Sequence, residues 1–179
     1  MNRSTQILLG CLLSLTACAA CSQTPANSTP ETAQPTTAPA VQKVTSESVV
    51  KATAARVEIS AGGLTEATVR LTIQSGYHVN ANPPTYPYLK ATALEISPSD
   101  GVSVAFVTYP KGVDKKLAFA EKPLAVYEGQ TDLKATLKTD KAAKKGERSI
   151  AARLRIQACD DQVCYPPGTL ELVIPVNIK

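Results

Sequence analysis

An all-β, immunoglobulin-like antiparallel β-sandwich is the fold this sequence predicts, and three observations predict it. From about Val44 onward apolar and polar residues alternate with period two, which places alternate side chains on opposite faces of a sheet. Clusters of Gly, Pro, Asn, Asp and Ser interrupt these runs at intervals of about ten residues, and no stretch of useful length keeps a helical period. The core must be built from Val, Ile, Leu and Ala, because aromatic residues make up only 4% of the chain and Trp is absent.

Taken in order, Arg56–Ile59 and Ala67–Ile73 alternate cleanly on either side of Gly62-Gly63 and predict a hairpin. Gly76–Pro84 reads as a strand end running into an irregular loop, because Asn and Pro break regular pairing. Strands are expected at Ala91–Ile96 and Val102–Tyr109, divided by the turn at Ser97–Gly101 and closed by Pro110-Lys111-Gly112. A loop with Leu117-Ala118-Phe119-Ala120-Glu121 then leads to strands at Leu124–Tyr127 and Leu133–Lys138, and Lys141–Gly146 is a charged loop. Two long alternating strands, Ile150–Gln157 and Leu170–Ile178, flank the segment Ala158–Pro167.

With 179 residues and 44% hydrophobic content, the chain has room for one such domain and its tails. The net charge is +4, yet Lys115-Lys116, Lys141, Lys144-Lys145 and Arg148 are mixed with acids and lack interleaved aromatics. That is a solvated surface and not a nucleic-acid footprint, which needs a basic stripe with stacking partners.

The N-terminus reads as an address. Arg3 precedes an apolar run, Ile7–Leu15, too short to span a bilayer permanently, so residues 1–17 are expected to be an export signal. Leu15-Thr16-Ala17-Cys18 resembles the bacterial lipobox, which implies lipidation of Cys18 and anchoring through more than one acyl chain. A plain secretory signal cut near Ala20 or Cys21 is the alternative. Ala19, where retained lipoproteins commonly carry Asp, favours the outer membrane over the inner one. Residues 18–43 are rich in Thr, Ala and Gln with Pro25, Pro30, Pro35 and Pro39, and bury too little to fold. Such a disordered tether reaches roughly 25 Å as a coil and up to roughly 70 Å if Pro stiffens it. The folded domain is expected over residues 44–179.

Beyond the N-terminal segment that carries Cys11, Cys18 and Cys21, the chain holds two cysteines, Cys159 and Cys164, on an exported part where disulfides persist. A spacing of five does not match the helix-start geometry of thioredoxins, but it places the two opposite each other in a hairpin with a two-residue tip. Closing so small a loop removes only about 2 kcal/mol of unfolded-chain entropy, a weak staple for a domain of this size. Spacing alone leaves open a structural hairpin disulfide and an exchanging one. Asp160 and Asp161 work against thiolate formation, while Tyr165-Pro166-Pro167 removes two backbone donors and leaves Cys164 near an edge. No metal or other cofactor is expected, because His78 is the one histidine and Met1 leaves with the leader.

Several motifs in order carry a resemblance: Gly76-Tyr77-His78-Val79-Asn80-Ala81-Asn82-Pro83-Pro84, Tyr109-Pro110-Lys111-Gly112, Phe119 followed by Val126-Tyr127-Glu128-Gly129, and Gln157-Ala158-Cys159 with Cys164-Tyr165-Pro166-Pro167. Over most of residues 50–178 the chain resembles the N-terminal periplasmic domain family of the thiol:disulfide interchange protein DsbD. The resemblance implies an immunoglobulin-like sandwich in which Cys159 and Cys164 are the redox pair and Phe119 sits on a cap loop shielding it. Beside the pair, where the family has tyrosines, this chain carries His78 and Asn80, with Tyr165 following Cys164. His78 is either a charge and proton group for the thiols or a satisfied strand-end histidine.

Three departures qualify the likeness. The best-known member spaces its cysteines by one more residue, has acids where this chain has Leu117-Ala118, and is fused to membrane and thioredoxin-like domains. The implied partners are therefore thioredoxin-like and DsbD/CcdA-type membrane redox proteins acting in trans, with the membrane met through the lipid anchor. The function expected is thiol–disulfide exchange on the periplasmic side of a bacterial membrane. The alternative is a non-catalytic immunoglobulin-like binding or scaffold lipoprotein with a structural disulfide.

Overall fold

The alternating runs form strands wherever one face finds a core. A computed structural model describes residues 43–179. The expected signal peptide, the lipidation site Cys18 and the tether apart from Lys43 lie outside the described residues. A single 3-10 turn, Glu47–Val49, precedes twelve strands: β1 (Val50–Ala54), β2 (Val57–Ile59), β3 (Leu64–Ile73), β4 (His78–Asn80), β5 (Ala93–Ile96), β6 (Val102–Thr108), β7 (Val113–Lys115), β8 (Leu124–Tyr127), β9 (Gln130–Thr139), β10 (Gly146–Ile156), β11 (Ala158–Cys159) and β12 (Gly168–Ile178).

These strands form three four-stranded sheets, ordered β1-β3-β9-β6, β2-β12-β10-β5 and β11-β4-β8-β7. The first two make the sandwich. Val69, Leu71, Leu133 and Leu137 from one sheet and Ile150, Leu154, Ile156 and Ile174 from the other are fully buried in a common core. Along β10 the polar partners of that alternation, including Arg153 and Arg155, stay in water. The third sheet is smaller and carries the loops of interest.

Two features differ from the sequence expectation. Arg56–Ile59 and Ala67–Ile73 do not form a hairpin: β2 runs parallel to β12, pairing Val57 with Val176 and Ile59 with Ile178, while β3 lies between β1 and β9 in the opposite sheet. The Gly62-Gly63 turn thus crosses between sheets. Thr139 pins it, its hydroxyl donating to Ser60 O (2.6 Å) and accepting from Gly63 N–H (3.1 Å). Alternation reports which face of a strand is buried but not which neighbour it pairs with. The second difference is that β1, β7 and β11 are additional strands, too short or too exposed to leave an alternating signature.

Leu154 pairs with Leu170 on one side and Leu94 on the other, at zero exposure. Leu154→Ala is expected to cost about 2–5 kcal/mol in urea unfolding with the disulfide intact, since the surrounding ladder cannot collapse into the void.

Candidate functional site

The ladder between β10 and β12 ends at the pair Ile156 and Gly168, so residues 157–167 leave the sheet as one excursion. Pro166 and Pro167 have no N–H to continue pairing. Within the excursion β11 pairs with β4, placing Ala158 opposite Val79 and Cys159 opposite His78. Cys159 and Cys164 face each other across a small hairpin, their Cα atoms 3.9 Å apart and their sulfurs bonded. The tip closes through Asp160 N–H to Val163 O at 2.9 Å, with Asp161 and Gln162 exposed at the turn.

Asp160 shapes that turn. Its carboxylate accepts the N–H groups of Gln162 and Val163, both at 2.8 Å, and the Tyr165 hydroxyl at 2.6 Å. Those three hydrogen bonds, Tyr165 foremost, hold the Asp160 carboxyl below the usual carboxylate range. Bonding to Asp160 in turn pushes the Tyr165 phenol up to about 12. Sequence reasoning assigned Asp160 to thiol electrostatics; the geometry gives it the loop's conformation as well.

The base of the excursion is fastened from a distant part of the chain. Ser46, fully buried, donates to Pro166 O at 2.6 Å and accepts the N–H of Ala158 at 2.9 Å, bridging both stems of the cysteine loop. Next to it Glu47 accepts Thr169 N–H at 3.2 Å, and its carboxylate occupies the space where any Cβ at position 168 would project. Neither Ser46 nor Glu47 carries a sequence signal for this role, because each lies more than a hundred residues from its partner.

Asn80 acts one layer behind the pair. It is buried and donates to Gln157 Oε1 at 3.0 Å, while Gln157 Nε2 donates to Tyr165 O at 3.2 Å. Asn80 therefore supports the base of the loop. Tyr165 also packs its ring 6.1 Å from that of Tyr77.

His78 is buried at zero exposure, and neither ring nitrogen has a hydrogen-bond partner. No protein group among the described residues satisfies the ring, as the strand-end reading would have it do. Burial, reinforced by Lys115, lowers its pKa below the ordinary 6.5, against the opposing pull of Glu128, Asp161 and Asp160. Lys115, which the sequence suggested was merely solvated, spans two elements, 2.5 Å from Glu128 and 3.5 Å from Asp161 at the hairpin tip.

The two cysteines differ in access. Cys159 is fully buried, whereas Cys164 is partly exposed and lines a groove of about 550 Å³ with Tyr86, Tyr88, Leu89, Phe119 and Leu124. Tyr86 and Tyr88 stack there at 5.1 Å between ring centroids. Phe119 is 44% exposed on the loop between β7 and β8. Leu117, two residues earlier, is buried with Leu124 and Val126 and anchors that loop. So where the family resemblance led one to look for acids, this chain places an apolar foot, and Phe119 is displayed over the groove.

An all-β domain presenting a hairpin disulfide, one sulfur buried and the other facing an aromatic groove, has the form of a thiol–disulfide exchange domain. The family model described as "Thiol:disulfide interchange protein DsbD, N-terminal" matches residues 45–174, and the chain belongs to that family. Among solved structures, the N-terminal periplasmic domain of ScsB from Proteus mirabilis aligns with a TM-score of 0.48 and 16% identity, covering 70% of this chain and 44% of that one. The chain thus spans less than half the length of that relative. A type I cohesin–dockerin complex from Clostridium thermocellum, Coh-OlpC-Doc435, aligns with a TM-score of 0.38 and 11% identity over 73% of this chain and 95% of that one. No curated protein matches the chain.

Two outcomes test the site's construction. Ser46→Ala leaves the buried Ala158 N–H without its partner and unties Pro166 O, and is expected to cost about 1–3 kcal/mol in denaturant unfolding. Faster amide exchange at Ala158 should accompany it. The buried His78 sets an acid limb. Its folded pKa lies below the unfolded value, so the unfolded chain binds more protons between the two, and stability present above about 6.5 declines as pH falls below it. A melting-temperature series against pH should show this decline, and His78→Gln should remove it.

Proposed function

We propose that the domain is an exported dithiol relay, passing electrons through Cys159 and Cys164 between a membrane or thioredoxin-like donor and periplasmic client oxidoreductases. The observation that carries this reading is the unequal access of the pair: Cys164 opens on the aromatic groove while Cys159 is sealed. A partner thiolate attacks Cys164 Sγ along the groove, a mixed disulfide forms, and the electron pair of the broken bond departs on Cys159 Sγ. The partner's second thiol then attacks its own sulfur in the mixed disulfide, releasing Cys164. Two electrons enter the pair, the partner is left as a disulfide, and the two protons its thiols release balance those the cysteines take up. The chemistry needs no cofactor beyond the pair.

Phe119 is assigned as the cap of this site, with Leu117 as its hinge-side anchor; displacement of Phe119 by a docking partner would bare Cys164. Membrane attachment through a lipid on Cys18 is part of the same proposal, in which a tether of about 25 residues would let the domain swing between partners. Thioredoxin-like and DsbD/CcdA-type membrane proteins are the proposed partners in trans.

Trapping in intact cells provides the test. Cys159→Ala leaves Cys164 free to accept and hold a partner, so it should accumulate a mixed disulfide visible on non-reducing gels, whereas Cys164→Ala should not. No adduct with either variant, together with a reduction potential below about −300 mV for the native bond, would leave only a structural disulfide.

A further inference from the structure

Among the described residues His78 is the buried titratable group that pairs directly with a cysteine of the disulfide, and the relay just described does not use it. The β4–β11 register sets it directly across from Cys159, and directly opposed residues of an antiparallel pair project from the same face of the sheet. Both residues have zero exposure. Both imidazole nitrogens are without partners while the disulfide is closed, a condition native interiors rarely keep without a reason. A disulfide sulfur has no proton to donate and accepts hydrogen bonds poorly. Reduction replaces it with a thiol or thiolate, which can do both.

The departing sulfur needs such a neighbour. A thiolate on Cys159 would form in a sealed, low-dielectric position, where burial disfavours the charged form and slows its departure. The charged groups around it do not supply what is missing. Asp160 and Asp161 on the hairpin and Glu128 after β8 oppose a new negative charge, and Lys115 on β7 is held between Glu128 and Asp161. Asp160 is itself held by the turn and by Tyr165. That leaves the imidazole as the group with free donor and acceptor capacity.

Resting on the relay reading, we propose that His78 is the internal proton partner of Cys159, unpartnered in the disulfide form and hydrogen-bonded to the Cys159 sulfur once the bond opens. When a thiolate attacks Cys164 and the S–S bond breaks, the negative charge arriving on Cys159 raises the proton affinity of the ring beside it. One proton from solvent is then shared between a ring nitrogen and the sulfur, and in the fully reduced pair it resides on Cys159 as the thiol. The reverse step returns it to solvent as the disulfide closes. The site thereby favours its reduced form, because reduction provides a partner for one of the two orphaned nitrogens.

The chain contains one histidine, so its ring signals are unambiguous in the full-length protein without a histidine tag. Ring nitrogen-15 shifts of the labelled protein are recorded oxidised, then after reduction with a small phosphine, across pH values on both sides of 6.5. The oxidised form should show a neutral ring without hydrogen bonds, and reduction should move a nitrogen toward the hydrogen-bonded or protonated range and raise the midpoint. In defined thiol buffers, His78→Phe should shift the Cys159–Cys164 equilibrium about tenfold toward the disulfide, close to 30 mV, and His78→Gln should recover part of it. Ring shifts unchanged on reduction would overturn the proposal, as would a His78→Phe protein with the native equilibrium constant. If His78→Phe does not fold, the native spectra decide alone. Neither measurement involves a protein partner, so failure here is distinct from failure to trap one.

Discussion

The site depends on where one ladder stops. β10 and β12 pair continuously from Gly146 with Ile178 to Ile156 with Gly168, and everything between Gln157 and Pro167 is chain that the ladder cannot absorb. Had pairing continued, both cysteines would be ordinary strand residues facing core or solvent. Instead, two prolines without donors and a glycine whose missing Cβ makes room for Glu47 fix the end of pairing. The excursion finds a second sheet to join, so its position is set by β4 and not by the hairpin alone.

A loop held only at its stems would be free to drift, and the fastening of this one is unusually complete. Ser46 bridges the two stems, Gln157 ties the Asn80 side chain to the Tyr165 carbonyl, and Asp160 closes the tip with three bonds of its own. Ser46 and Asn80 are buried, so removing their bonds would leave a partner unsatisfied, whereas the Asp160 bonds lie at the exposed tip. Against this background His78 stands out. Around Ser46, Gln157 and Asp160 most donors and acceptors are matched; among the described residues the unpartnered buried side-chain atoms are Asn80 Oδ1 and the two ring nitrogens of His78, and the latter face Cys159.

Much of the fold was legible because β9, β10 and β12 each bury one face along their whole length, and period two survives in their residues. Strand pairing was not: Val57 and Ile59 look the same whether their neighbour is β3 or β12. The cysteine pair and Phe119 carry motifs in the sequence, whereas the pairing of Cys159 with His78 comes from the β4–β11 register. Ser46, Glu47 and Lys115 were not, since nothing local distinguishes a serine before a 3-10 turn, or one lysine of a Lys-Lys pair, from a solvated residue. Their roles arise from contacts made by distant chain segments, and only the folded register brings those together.

The inequality between the two sulfurs follows from the same architecture. Cys159 belongs to β11, paired on both sides by His78 and by Cys164, and so is covered. Cys164 is the last residue before the Tyr-Pro-Pro run leaves the hairpin, with no strand beyond it, and its free side meets the groove below Phe119. Access and burial are thus divided between two atoms of one bond. In the proposed exchange the exposed sulfur is the one a nucleophile would reach and the buried one would accept the charge, so the demand for a nearby proton would fall on Cys159 and on the wall of the site that faces it. That wall is β4, where this chain carries His78 in place of the tyrosine that the family resemblance would lead one to look for. An imidazole differs from a phenol in titrating near neutral pH, and under the proposed exchange that difference would couple the state of the bond to the acidity of its surroundings.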